Sequence, residues 1–197
     1  MKHLKLFENW QEGNSLEYTE DSHSVTPEQA KDLIKKALAE GGVKPIMLVG
    51  GPGTGPGAII EKSAKEAGVE PIRLELSLME PADFMGVPRL SSREIPNVNP
   101  EGPGVMSGTM KYSTPSWFPV DGSGIIVLGS INRANPQILN AAISFAQSGR
   151  LGTSQLPEGW LIVATADSHD FYFHRHQDDT NDISTVISDR FTVLNLG

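Results

Sequence analysis

The stretch Pro45-Ile46-Met47-Leu48-Val49-Gly50-Gly51-Pro52-Gly53-Thr54-Gly55-Pro56-Gly57-Ala58-Ile59-Ile60 decides the fold. A short continuous apolar run that ends in glycines has the pattern of a strand buried on both faces. The helical stretch that follows, Ala58 to Ala67, closes at Gly68. Upstream, Thr26 offers an N-cap, Pro27 the favoured first helical position and Gln29 the capping-box partner. Ala30, Leu33, Ile34, Ala37 and Leu38 then repeat with helical spacing until Gly41-Gly42 stops the helix. Downstream come strands at Ile72 to Leu76 and Ile125 to Leu128, a helix over Asn135 to Gln147, and strands at Leu161 to Thr165 and Thr192 to Leu196. Between the first two of these lies a Pro/Gly-rich stretch from Glu80 to Gly124, expected to be irregular. Strands alternating with helices imply one parallel sheet with right-handed crossovers. Residues 1–24 sustain no period and form an N-terminal arm ahead of a core spanning 25–197.

The 197 residues suit about one domain. Of the formal charge of −8, residues 1–24 carry −3 and residues 167–182 carry −4, so the acidity is local. No long Lys/Arg run is present, and the chain lacks the electrostatic footprint of a nucleic-acid or anionic-membrane binder. The absence of cysteine excludes disulfides and thiolate metal sites. No apolar run is long enough to span a bilayer, and Met1 to Trp10 is too polar for a signal peptide, so a soluble, cytoplasmic protein is expected.

Gly50 and Gly55 fit the phosphate-binding pattern G-x-x-x-x-G-K-[ST], in which backbone N–H groups curl around a β-phosphate, the Lys neutralises phosphate oxygens and the hydroxyl binds Mg²⁺. Pro56 and Gly57 stand at the Lys and Ser/Thr positions, removing the cation, the hydroxyl and one N–H. A unit charge pair at 4 Å is worth about 4 kcal/mol at an effective dielectric of 20, so nucleotide affinity is expected to be weak or absent. Gly50, Gly51, Pro52, Gly53, Thr54, Gly55, Pro56 and Gly57 therefore read as a degenerate phosphate loop. A plain Gly/Pro turn between strand and helix is the other reading.

From about Thr26 to Leu196 the chain resembles the MoxR and dynein-related AAA+ ATPases. The resemblance rests on Gly50-Gly51-Pro52-Gly53-Thr54-Gly55, Leu78-Met79-Glu80-Pro81-Ala82-Asp83, Thr114-Pro115-Ser116-Trp117-Phe118-Pro119, Ile131-Asn132-Arg133-Ala134-Asn135-Pro136, Gly149-Arg150-Leu151-Gly152, Leu156-Pro157-Glu158-Gly159-Trp160 and Asp189-Arg190-Phe191. It implies a three-layer P-loop NTPase core with a parallel five-stranded sheet of order 5-1-4-3-2, ring assembly, and ATP with Mg²⁺ as cofactors. It also implies a helical lid, which is expected to be absent from this stretch because the sequence ends just after the expected fifth strand. Where the family carries the Walker B Asp-Glu, this chain has Gly129 and Ser130. Where the family has a polar sensor, usually Asn, it has Asp167, whose charge repels phosphate. Arg190 matches the arginine-finger position, or equally is a helix-end Arg bound to local carbonyls.

The resemblance thus implies an AAA+-like module impaired in nucleotide binding, catalytically inactive, and acting on a protein partner such as a von Willebrand factor A domain protein or AAA+ ring subunits. The isolated chain is expected to be monomeric. One alternative is a MoxR-type ATPase with weak Mg-ATP hydrolysis that uses Arg190, Asp167 and Asp121. Another is a metal-binding loop around His174 and His176, which would share one face of an extended segment. Trp117 and Trp160 are expected to pack in the core or a hairpin, and Lys31, Lys35 and Lys36 to lie on a solvated helix face.

Overall fold

In the computed structural model, every apolar run marked by the sequence becomes a strand of one parallel sheet. The structure describes residues 24–41, 44–51, 53–94, 106–168, 187 and 190–197. The arm up to residue 23, Pro52, His174 and His176 lie outside these residues.

The chain enters at β1 (Ser24–Val25) and continues through α1 (Pro27–Glu40), β2 (Ile46–Gly50), α2 (Pro56–Glu66), β3 (Pro71–Glu75) and α3 (Pro81–Met85). A hairpin of β4 (Pro88–Glu94) and β5 (Met106–Tyr112) follows, then β6 (Gly124–Gly129) and α4 (Pro136–Ser148). A two-residue hairpin of β7 (Arg150–Leu151) and β8 (Ser154–Gln155) leads to β9 (Trp160–Asp167) and β10 (Thr192–Leu196).

The central sheet runs β1-β10-β2-β9-β6-β3, all parallel. Its last five strands reproduce the expected order 5-1-4-3-2. The correction is a sixth strand, β1, which pairs Ser24 with Asn195 and Val25 with Leu196 at the outer edge, so the sheet begins at Ser24, the last residue assigned to the arm. Glu80 to Gly124 is also more ordered than expected. It holds α3, capped reciprocally by the Glu80 and Asp83 side chains, and the antiparallel hairpin β4–β5.

Alternation along each strand divides the core between two faces. Ile46, Leu48, Ile125, Val127, Leu161, Val163, Leu194 and Leu196 meet α1 and α2 through Ala30, Ile34, Ala37, Ile59, Ile60 and Ala64. Met47, Val49, Ile126, Leu128, Ile162, Ala164 and Val193 meet α4 through Ile138, Ala142, Phe145 and Ala146. The result is three layers. α1 forms the expected capping box, with the Gln29 N–H donating to Thr26 Oγ1 and the Thr26 N–H donating to Gln29 Oε1. Trp117 packs as expected, stacked on Phe84 and edge-on to Phe145 with ring centroids 5.4 and 5.7 Å away. Trp160 lies over Gly124, where an added Cβ would stand 2.8 Å from its ring.

Lys31 and Lys35 do more than solvate a helix face. Both reach Glu66 on α2, at 3.3 and 2.9 Å, and tie the two helices together. Their hydrogen bonds hold the Glu66 carboxyl below its ordinary value. A carboxylate depressed in the folded state contributes stability above its unfolded pKa and loses it as pH falls through the folded one. Glu66→Gln is therefore expected to lower the melting temperature slightly near neutral pH and leave it unchanged once the pH is below the folded pKa, as measured by thermal melts across the acid range. Phe145→Ala, by contrast, should cost about 3–5 kcal/mol at every pH in denaturant titrations, because it empties the centre of the aromatic cluster.

Candidate functional site

Parallel strands bring their C-terminal ends to one edge of the sheet, and in open α/β folds ligands bind in the crevice outside these ends where the strand order reverses. Here that edge carries Gly50 from β2, Asp167 from β9, Gly129 from β6 and Glu75 from β3. The register places Gly50 opposite Asp167 and Glu75 opposite Gly129.

From Gly50 the backbone turns through Gly51, Gly53 (φ 93°) and Thr54 to Gly55, which caps α2 in the left-handed region (φ 59°). Thr54 ties the turn back on itself. Thr54 donates twice to the Gly51 carbonyl, from its N–H at 3.1 Å and its hydroxyl at 2.8 Å. Its side chain lies so close over Gly50 that any Cβ there would collide with the Thr54 hydroxyl. Ala58 and Ile59 N–H groups return to the Gly55 carbonyl. Pro56 occupies the first helical position and brings no N–H. Gly57 accepts from Arg73 at 3.3 Å, and the same guanidinium pairs with Glu61 at 2.6 Å.

At the end of β6, Gly129 has no room for a side chain without displacement of Glu75, since an added Cβ would lie 2.7 Å from Glu75 Oε2. Ser77 Oγ donates to the other Glu75 oxygen at 2.8 Å. Glu75 is the site-edge carboxylate that the sequence reading passed over. The strand expected at Ile72 to Leu76 already contained Glu75, and the observed strand Pro71–Glu75 ends on it. Ser130 follows in the left-handed region (φ 50°), its N–H donating to Thr165 Oγ1 at 3.2 Å.

Asp167 is not left to repel a phosphate. Its carboxylate accepts from Arg133 at 3.2 Å, and its N–H donates to Asn132 Oδ1 at 3.3 Å. Asn132 Nδ2 is buried and has no acceptor among the described residues. Asp121 lies elsewhere: its carbonyl accepts from the Trp160 indole at 3.1 Å, ahead of the N-terminal end of β6. A strand of that length puts it about 20 Å from the loop edge, so the expectation that Asp121 serves the site is corrected. Arg190 precedes β10, with its N–H donating to the Ile187 carbonyl at 3.0 Å. The alternative metal ligands His174 and His176 lie outside the described residues, among which no group of three or more His, Asp or Glu side chains is arranged to hold a metal ion. No helix among them is long and apolar enough to cross a membrane.

Several groups by which a phosphate loop holds a Mg-nucleotide are not present among these residues. Position 56 has no cation, position 57 has no hydroxyl, Gly129 and Ser130 supply no carboxylate, and the Thr54 side chain closes down over Gly50.

Comparison with solved structures finds a similar fold within chains of Hsp104. A closed-state cryo-electron-microscopy reconstruction of Hsp104 with ATPγS and casein superposes on 99% of this chain with a TM-score of 0.51 at 12% identity. An extended-conformation complex of S. cerevisiae Hsp104 with casein gives a TM-score of 0.46 at 13% identity, again over 99% of this chain. The chain spans 36% of the length of each of these Hsp104 chains. No protein-family model and no curated protein matches it. The fold is a P-loop NTPase-like, three-layer α/β core with a parallel central sheet.

Gly50→Ala is expected to destabilise the chain by about 1–3 kcal/mol through overpacking against Thr54. Thr54→Ala removes the colliding hydroxyl, so in a double-mutant cycle the pair should recover most of that loss. Additive losses in denaturant titrations would show that Thr54 does not close over the strand end.

Proposed function

We propose that this chain is an AAA+-like module of the MoxR type in which nucleotide chemistry has been lost and whose role is to bind or scaffold protein. The observation that carries this reading is the charge balance at the strand ends. The groups that would meet a triphosphate and its Mg²⁺ are missing at 56, 57, 129 and 130, while of the two carboxylates at that edge Asp167 is matched by Arg133 from the same chain and Glu75 adds a negative charge. A site whose cation is already paired gains little from an incoming anion. The Hsp104 structure of similar fold contains ATPγS and casein, which supports a protein as the thing handled. Under this reading the partner is a protein, with a von Willebrand factor A domain protein or subunits of an AAA+ ring as the MoxR-type candidates. Without a nucleotide to bridge subunits, the isolated chain is monomeric.

Calorimetry with Mg-ATP is the direct test. Affinity should be weaker than about 0.1 mM, corresponding to less than about 5.5 kcal/mol of binding free energy, with no phosphate release above background. Micromolar, Mg²⁺-dependent binding or measurable turnover would overturn the reading. The fold makes a restoration experiment specific. Pro56→Lys and Gly57→Ser return the cation and hydroxyl, and position 57 has space, since an added Cβ would lie 3.8 Å from Arg73. Gly129→Asp meets the Glu75 carboxylate, so it should raise Mg-ATP affinity only when combined with Glu75→Gln. Melting temperature with and without Mg-ATP reads this out.

A further inference from the structure

Among the described residues, three of the six exposed large apolar side chains lie on the hairpin β4–β5 and a fourth at its base; the other two, Leu78 and Val120, lie outside it. Leu90, Met110 and Tyr112 are 74, 61 and 50% exposed, and Val87 at its base is 53% exposed. The register pairs Leu90 with Met110 and Pro88 with Tyr112, so these residues share one face of the ribbon. Between them Arg89 stands opposite Lys111 on the other face. Like charges at directly opposed positions destabilise a pair of strands, and neither cation has a carboxylate partner among the described residues. The hairpin is a two-stranded sheet with no third strand among those residues, so both outer edges keep backbone donors and acceptors unpaired. A two-stranded ribbon of this kind is marginal in water by itself.

Its base, however, is fixed. Ser113 N–H donates to the Val87 carbonyl at 2.9 Å, and Val87 N–H donates to Ser113 Oγ at 3.0 Å. Gly86 (φ 82°) approaches the Ser113 carbonyl so closely that any side chain would collide with it. A ribbon held rigidly at its root, apolar on one face, cationic on the other and open at both edges is built to receive a strand.

We propose that β4–β5 is a docking surface for an acidic, extended segment of a partner protein, with apolar side chains on alternate residues, that adds a third strand to the ribbon. Each feature of the occupant follows from the surface. The open edge selects extended backbone. The period-two alternation of the ribbon places apolar residues against Leu90 and Met110, and the Arg89–Lys111 pair selects carboxylates for the opposite face. This names the class of partner for the interaction role above and rests on that reading. A phosphate-release assay reports on the lost nucleotide chemistry separately from the binding measurement below.

The probe is a labelled 14-residue peptide with the sequence of residues 8–21 of this chain, which carries five carboxylates, no cation, and Trp10, Leu16 and Tyr18. It is titrated by fluorescence anisotropy against the full chain, and against the full chain with Glu8, Glu12, Glu17 and Glu20 changed to Gln and Asp21 to Asn, so that the chain's own acidic segment cannot compete. Micromolar binding to either is the expected result. Binding only to the neutralised chain supports the surface and identifies the chain's own segment as a competitor. Arg89→Glu with Lys111→Glu, and separately Leu90→Ser with Met110→Ser, should each weaken binding about tenfold or more, as should replacing the peptide carboxylates by amides. Arg89→Gln with Lys111→Gln serves as the milder variant, with folding checked by circular dichroism. Binding to neither chain, an amidated peptide that binds as well as the acidic one, or hairpin variants without effect would overturn the proposal.

Discussion

Burial of β2 on both faces is the constraint from which the rest of the structure follows. Residues 46–50 are all buried, with Ile46 and Leu48 turned to α1 and α2 and Met47 and Val49 turned to α4. A strand with no wet face takes parallel neighbours on both sides and helices above and below, because only crossover connections cover both faces. β10 and β9 fill the two edges in full register. Once all strands point one way, their last residues gather at a single edge. Gly50, Asp167, Gly129 and Glu75 therefore meet although they are far apart in the sequence.

One of the carboxylates that gather there is paired from within the chain. Arg133 and Asp167 pair across 34 residues, and Asn132 holds the Asp167 backbone. Both charged side chains are partly exposed, at 54 and 31%, so the pair adds little stability by itself. Its effect is on the site: a carboxylate that would repel an anion and a cation that would attract one cancel each other. Glu75, held by Ser77 beside Gly129, adds a negative charge on the same edge. Two carboxylates and one paired cation therefore set the charge of this edge.

The features legible in the sequence were local or periodic. Thr26, Pro27 and Gln29 announced α1, the apolar runs announced β2, β6, β9 and β10, and the alternation of strands with helices announced the parallel sheet. The hairpin β4–β5 was not legible, because Pro88-Arg89-Leu90-Ser91-Ser92 carries neither sustained alternation nor an apolar run, and its strands are set by cross-strand pairing and by the closure of Gly86 on Ser113. The tie from Lys31 and Lys35 to Glu66 was hidden for the same kind of reason: it joins two helices whose relative placement only the crossover fixes. The pairing of Asp167 with Arg133 depends on β9 lying beside β6, which follows from the strand order but not from any spacing.

The glycines that make the loop look like a phosphate cradle have local structural reasons to be glycine. Gly50 must be bare because Thr54 folds over it, Gly55 because the helix cap requires positive φ, and a side chain at Gly129 would have to displace the Glu75 carboxylate. Selection for packing alone is sufficient to keep all three, so their presence carries less weight for phosphate binding than the pattern suggests. Groups with no packing role are the more discriminating evidence. A lysine at 56, a hydroxyl at 57 and carboxylates at 129 and 130 would contribute nothing to the core, and only a bound nucleotide would require them. Their joint absence, beside glycines that have local packing reasons, is what supports the proposed reading.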